Sequence, residues 1–208
     1  MSVLNKLASA LGRRDEVPNQ ELAKQIAKTN NANSIKELVE NLSNKKDIAN
    51  DCIKVLYEIG EIKPVLISPF AKTFIDLLKS KNNRLQWGAM HAINTITLEN
   101  SKAIYKALPE IIDAANKGTV ITKDHTVNIL VKLSSIKQYA DDVFSLLIEQ
   151  IIVSPVNQLP SYAEKALPLV NENNKMFFLK TLTSRLGDID TDTKLKRMEK
   201  IIRKLTGK

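Results

Sequence analysis

The sequence is poor in the residues that carry most covalent and metal chemistry. It has one cysteine, Cys52, and two histidines, His91 and His125. A single cysteine excludes an internal disulfide and any cysteine-based zinc cluster. Two histidines far apart in the chain do not make a usual zinc site. Glycine is scarce at 6 residues and aromatics make up 5%, which argues against a β-sandwich or an α/β enzyme built on glycine-rich loops. No phosphate loop, dinucleotide turn, His-x-x-x-His pair or Gly-x-Ser-x-Gly elbow occurs. The reading is of a protein with no catalytic residues, no metal and no small-molecule cofactor.

Long apolar runs are also missing. No stretch reaches the roughly 18 residues that a membrane helix needs. The first residues, MSVLNKLASALGRRDE, lack the charged start and apolar run of a signal peptide. A lone cysteine suits a reducing compartment. The expectation is a cytoplasmic protein without a membrane partner. Cys52 lies in the apolar pattern DCIKVLYEIG and is expected to be a buried structural thiol.

What the chain has in abundance is Lys, Glu, Asn, Ile and Leu, mostly good helix formers. The apolar set Cys52, Val55, Leu56, Ile59 has the spacing of one helix face. Adding 37 gives Ala89, Ala92, Ile93, Ile96. Adding 37 again gives Thr126, Ile129, Leu130, Leu133, and once more Ala163, Ala166, Leu167, Val170. Fifteen of these sixteen positions are apolar, so the register is kept over three steps. An earlier helix accompanies each: Ile35, Leu38, Val39, Leu42; then Ala71, Phe74, Ile75, Leu78; then Leu108, Ile111, Ile112, Ala115; then Phe144, Leu147, Ile148, Ile151. A fifth pair follows at a shorter step, with Phe178, Leu179, Leu182 and then Leu195, Met198, Ile202.

Punctuation supports the same division. Ser34 with Glu37 has the form of a capping box. Ser68-Pro69 and Pro109 mark first turns. Pro168 is expected to kink the fourth second helix. Residues 1–30 read as a terminal cap, with Val3, Leu4, Leu7, Ala8 and Leu11 on one apolar face and Leu22, Ala23 and Ile26 on another. The predicted architecture is all-α, an α-α superhelix of about five antiparallel helix pairs in a single domain over 1–208. The cap spans 1–30 and the repeats span approximately 33–66, 68–103, 104–138, 139–173 and 174–208.

The stretch DIANDCIKVLYEIGEI, residues 47–62, resembles the second helix of a HEAT (armadillo-type) repeat. Asp47, Cys52, Val55-Leu56 and Ile59-Gly60 fill that family's acidic, small, alanine-leucine and isoleucine-glycine places. The resemblance spans roughly residues 33–206. The arginine common at the start of that helix is not in register; Asn50, Trp87, Asp124 and Ser161 stand near it.

The lone tryptophan lies off the core face. Trp87 is about 200° from Ala89 at 100° per residue, in a stripe with Arg84, His91 and Asn94. The corresponding stripes hold Asp47, Asn50, Lys54 and Tyr57, then Asp124 and Asn128, then Gln158, Ser161 and Lys165. In HEAT-like proteins the second helices usually line the concave surface. The resemblance therefore implies a polar groove bearing Asn50, Lys54, Tyr57, Arg84, Trp87, His91, Asn94, Asn128 and Lys165. Exposed aromatics beside Arg, Lys and Asn have the composition of interaction hot spots. The first functional expectation is a non-catalytic scaffold or adaptor for a protein or peptide.

The second expectation comes from charge. The net charge is +8. From position 175 onward there are 10 Lys/Arg against 4 Asp/Glu, so residues 1–174 carry only +2. Such a basic terminal repeat, with Lys194, Lys196, Arg197, Lys200, Arg203 and Lys204, suits nucleic acid. Some HEAT-like proteins are DNA glycosylases of alkylated bases that use concave tryptophans with an aspartate and arginines. This chain has Trp87 but no second tryptophan, and few arginines in the stripe. DIDTDTK, residues 188–194, has the acidic spacing of a calcium loop without its glycine and closing glutamate, and reads as a turn with helix caps.

Overall fold

Seventeen consecutive residues, Lys46–Ile62, form the longest helix among the described residues. Its inward face is the one the spacing defines: Cys52, Val55, Leu56 and Ile59 are all fully buried. Each such side chain removed from water contributes roughly 1.5–3 kcal/mol before entropy is counted. The computed structural model describes residues 2–207, and among these there are helices and turns but no strands. No helix is long and apolar enough to cross a membrane among the described residues. The chain divides into two compact units, one ending at Thr126 and the next beginning at Val127.

The first unit contains α1 (Val17–Thr29), α2 (Ala32–Glu40), α3 (Lys46–Ile62), α4 (Ala71–Leu77), α5 (Asn83–Ile96), α6 (Ser101–Lys106) and α7 (Leu108–Lys117). The boundary falls within α8 (Val120–Ser134). Helix α3 is central: α1, α2 and α5 all pack on it, and α4 packs on α5. Contacts between α3 and α5 rise together in number. Asn82, the N-cap of α5, donates to Asn50 at 2.8 Å. Tyr57 lies against Trp87 and His91, and Gly60 lies under Thr95. The two helices therefore run parallel, side by side.

The second unit contains α9 (Ala140–Ile152), α10 (Leu159–Ala166), α11 (Lys175–Ser184) and α12 (Asp192–Thr206). Helix α9 packs on α10 and α11, and α12 packs on α10 and α11. Its core holds Phe144, Leu147, Tyr162, Phe178, Leu182 and Met198. The rings of Phe144 and Phe178 meet edge to face at 6.1 Å. In both units side-chain hydrogen bonds link residues about one repeat apart. Those of the first include Asn19–Asp51, Asn50–Asn82 and Asn94–His125, at separations of 32, 32 and 31. Those of the second include Asn128–Lys165, Asn157–Lys194 and Glu164–Arg197, at 37, 37 and 33.

Several local expectations change. Asn31, not Ser34, caps α2, its side chain accepting from the Ser34 amide at 3.0 Å. Glu37 is drawn away from a capping box to hold the N-terminal segment, through the Ser2 hydroxyl and the Val3 amide. Ser68-Pro69 opens a single 3-10 turn before α4 without a side-chain cap. Pro109 does sit in the first turn of α7. Pro168 ends α10 rather than kinking it: the α-helix stops at Ala166 and a 3-10 turn, Leu167–Leu169, follows. Leu167 and Val170 are in consequence only half-buried. The last helix is rotated from expectation, burying Ile201 and Leu205 with Met198 and leaving Leu195 and Ile202 at the margin. Residues 3–11 form a 3-10 turn and further turns, with Val3, Leu7 and Ala8 buried and Leu11 exposed. Leu22, Ala23 and Ile26 of α1 are buried as the pattern requires.

Candidate functional site

Helix α3 supplies Asn50, Lys54 and Tyr57 of the predicted stripe and α5 supplies Arg84, Trp87, His91 and Asn94, because positions three and four apart share a helix face. Arg84 is exposed and Trp87 and His91 are half-buried. Tyr57, Asn50, Lys54 and Asn94 are not the exposed groove residues expected, with 4%, 8%, 7% and 7% of their surface accessible. The close parallel contact of α3 with α5 covers them, and they spend their polar groups on neighbours.

Four rings form a column across α3, α5 and α8. Trp87 tilts on Tyr57 at 6.0 Å between centroids. Tyr57 stacks on His91 at 4.3 Å, and His91 on His125 at 4.2 Å. His91 Nε2 lies 2.5 Å from Glu61 Oε1, and the Asn94 amide donates to His125 Nδ1 at 3.2 Å. His125 is thereby a member of the stripe that the spacing alone did not select.

An ionic clamp fastens the N-terminal segment to the same face. Lys54 Nζ lies 2.9 Å from Glu16 and 2.6 Å from Glu58, and sits 4.8 Å from the centre of the Tyr57 ring. Glu16 also accepts from the Arg84 guanidinium. Burial works to lower the Lys54 ammonium, yet Glu58 and Glu16 outweigh it and hold it above its ordinary value. Burial likewise raises the Glu16 carboxyl, while Lys54 and Arg84 bring the net shift below the usual carboxylate range.

Beside this clamp lies a cavity of about 400 Å³, lined by Ser9, Arg13, Arg14, Asp47, Asn50 and Arg84, among others. Arg13 is locked to Asp15 by two hydrogen bonds of 2.9 and 2.8 Å. Asp51 accepts from the Ser9 amide at 2.7 Å and from Asn19 at 2.8 Å. Asn50 Oδ1 accepts from the Asn82 side-chain amide. The Arg14 and Asp47 side chains are exposed. The lining can therefore meet hydrogen-bond donors and acceptors alike.

In the second unit Lys165 donates to Asn128 at 2.7 Å, so these two stripe residues meet. Of the six basic residues expected to act together, two are engaged internally. Lys194 contacts Asp190 and Asn157 at 2.7 and 2.5 Å, and Arg197 grips Glu164 with two bonds of 2.8 and 2.7 Å. Arg197 holds Glu164 below the usual carboxylate range. Lys196, Lys200, Arg203 and Lys204 are exposed. In the acidic turn, Asp188 pairs with Arg185 at 2.5 Å and Asp190 with Lys194.

Cys52 is fully buried, and burial pushes its thiol up to about 12, which makes it an inert core residue. Among the described residues no three of His, Cys, Asp and Glu converge as metal ligands.

The chain matches no family model and no curated protein. Among solved structures it is similar to a crystal structure of an engineered protein from the Northeast Structural Genomics Consortium. The TM-score is 0.61 and the identity 18%, covering 100% of both chains. At that identity the likeness is one of all-helical fold.

Proposed function

We propose that the chain is a HEAT-like α-solenoid that acts as a non-catalytic scaffold, binding a protein or peptide on the face carried by its second helices. The observation that carries this reading is the cavity beside α3. Two of its walls, Asn50 and Arg84, belong to the stripe that the repeat register selects, and Trp87 lies one turn beyond Arg84. A partner that enters there and extends one turn along α5 meets hydrogen-bonding groups in the cavity and then a half-buried indole, the pairing of polar anchor and aromatic surface that protein recognition favours. The 30–37-residue spacing of the cross-helix hydrogen bonds supports a repeated architecture in each unit.

The buried part of the stripe works differently. Tyr57, Asn94 and Lys54 join neighbouring helices and present little surface, so the proposed contact set is Arg14, Asp47, Arg84 and Trp87, with His91 at its edge. Selection of a displayed peptide library against the full chain tests the reading. Enriched peptides should change Trp87 emission on titration and bind Arg14→Ala at least tenfold more weakly. Enriched peptides that bind without altering Trp87 emission, and equally to Arg14→Ala, place recognition elsewhere and refute it.

A further inference from the structure

Helix α12 is amphipathic, and its two sides have different fates. Met198, Ile201 and Leu205 are buried at 0%, 3% and 8% accessibility, packed toward α10 and α11. On the opposite side Lys196, Lys200, Arg203 and Lys204 are exposed, and none forms an ion pair among the described residues. At 3.6 residues per turn these four cations fall in a strip about 100° wide that runs about 12 Å along the helix. Glu199 borders the strip about 60° from Lys196. Arg197 and Lys194, on the same helix, are spent on Glu164 and Asp190.

We propose that this strip is a binding site for the phosphodiester backbone of nucleic acid, read without sequence specificity. Three of the four cations are lysines, compact charges that satisfy phosphates without a fixed fork geometry. The strip's length matches about three to four phosphates of one duplex strand at 3.4 Å of axial rise each. No aromatic or large apolar side chain stands within it, so it lacks the anchor of a protein hot spot. A membrane surface is disfavoured for a separate reason. A helix that lies in a lipid interface inserts its apolar face, and here that face is already buried in the fold. The proposal does not rest on the peptide-binding reading, because it concerns a different helix and different residues.

The test is fluorescence anisotropy of labelled duplex DNA and single-stranded RNA, titrated with the full chain at 50 and 200 mM salt. Four released counterions give a slope near −3.6 in log K against log salt for a duplex, or about 10²-fold weaker binding across that range. The variant carrying Gln at 196, 200, 203 and 204 should lose at least 10²-fold in affinity at 50 mM. Lys194→Gln and Arg197→Gln should leave the slope unchanged, since those cations are already neutralised. Retention of duplex and RNA binding by the fourfold variant overturns the proposal, as does absence of binding at 50 mM. Equal loss from the Lys194 and Arg197 variants overturns the assignment of the site to this strip. Anionic phosphatidylserine vesicles and polyglutamate serve as competitors; displacement by either at matched charge overturns the choice of ligand.

Discussion

The imidazole of His91 stacks on the phenol ring of Tyr57 with 4.3 Å between centroids and 18° between planes. The contact joins α5 to α3 across the face that the sequence marks as a binding stripe. It makes Tyr57 a part of the helix interface, with 4% of its surface accessible. Tyr57→Ala should therefore lower stability by about 3 kcal/mol, the scale of a large side chain removed from a core. Urea unfolding followed by far-UV circular dichroism gives the number. A cost under about 0.5 kcal/mol, the range of a plain surface change, would show that the column contributes little.

The clamp between Glu16, Lys54 and Arg84 makes a pH prediction. Glu16 is held below its ordinary value in the folded state, so the fold favours its ionised form. That contribution is present above the usual carboxylate pKa, near 4.5, and is lost as pH falls through the depressed folded value. Glu16→Gln should be less stable than the parent at pH 7, and the gap should close progressively below about pH 4.5. Unfolding midpoints from pH 7 to 3 measure it; a gap that stays constant contradicts the linkage.

Gly60 of α3 lies against Thr95 of α5 and Ile67 of the segment between the two helices. A Cβ there would lie 2.2 Å from Thr95 Oγ1 and 2.8 Å from Ile67 Cδ1. Gly60→Ala gains up to about 1 kcal/mol of helix propensity but must displace both neighbours, and overpacking costs about 1–3 kcal/mol. The net expectation is destabilisation. A higher thermal midpoint for Gly60→Ala would show that Thr95 and Ile67 yield freely.

In the second unit Arg185 closes the end of α9. Its guanidinium donates to the carbonyls of Ile151 and Ser154, each at 3.0 Å, and to that of Ile152. Those of Ile151 and Ile152 are among the last four carbonyls, which have no partner within the helix. Arg185→Ala should cost about 1–3 kcal/mol, and Arg185→Lys should recover only part, since one ammonium does not reproduce the planar fork. Full recovery by lysine would reduce the role to charge alone.

How much of this was legible in the sequence depends on whether the signal was local. The core faces of α3, α5, α8 and α10 were, because a core position recurs every 37 residues: Cys52, Ala89, Thr126 and Ala163 are all fully buried, the threonine included. It is accommodated by hydrogen bonds to Thr122 O and Met90 Sδ. The proximity of Tyr57 to Trp87, 30 positions apart, came from the resemblance to stacked repeats and not from the period itself. Burial of the stripe was not, since it depends on how near α3 approaches α5. Glycines at 60 and 88 permit that approach, and only the fold shows what they meet. The reach of Glu16 to Arg84, 68 residues away, left no trace in any period. The capping of α9 by Arg185 likewise joins a loop to a distant helix end. Capping errors at Ser34 and Pro168 came from competition: Asn31 stands one turn earlier as a better-placed cap, and a proline following a short helix ends it at lower cost than bending it.

The measurement that tests the account most directly is a comparison of Trp87→Ala with the parent in both stability and peptide binding. Trp87 is half-buried, one turn along α5 from the cavity-lining Arg84, while its neighbour Tyr57 is interior. The account predicts that Trp87→Ala keeps the unfolding free energy within about 1 kcal/mol and weakens the selected peptides at least tenfold. A variant that binds those peptides as the parent does, or one that fails to fold, would contradict it by making Trp87 a purely structural member of the column.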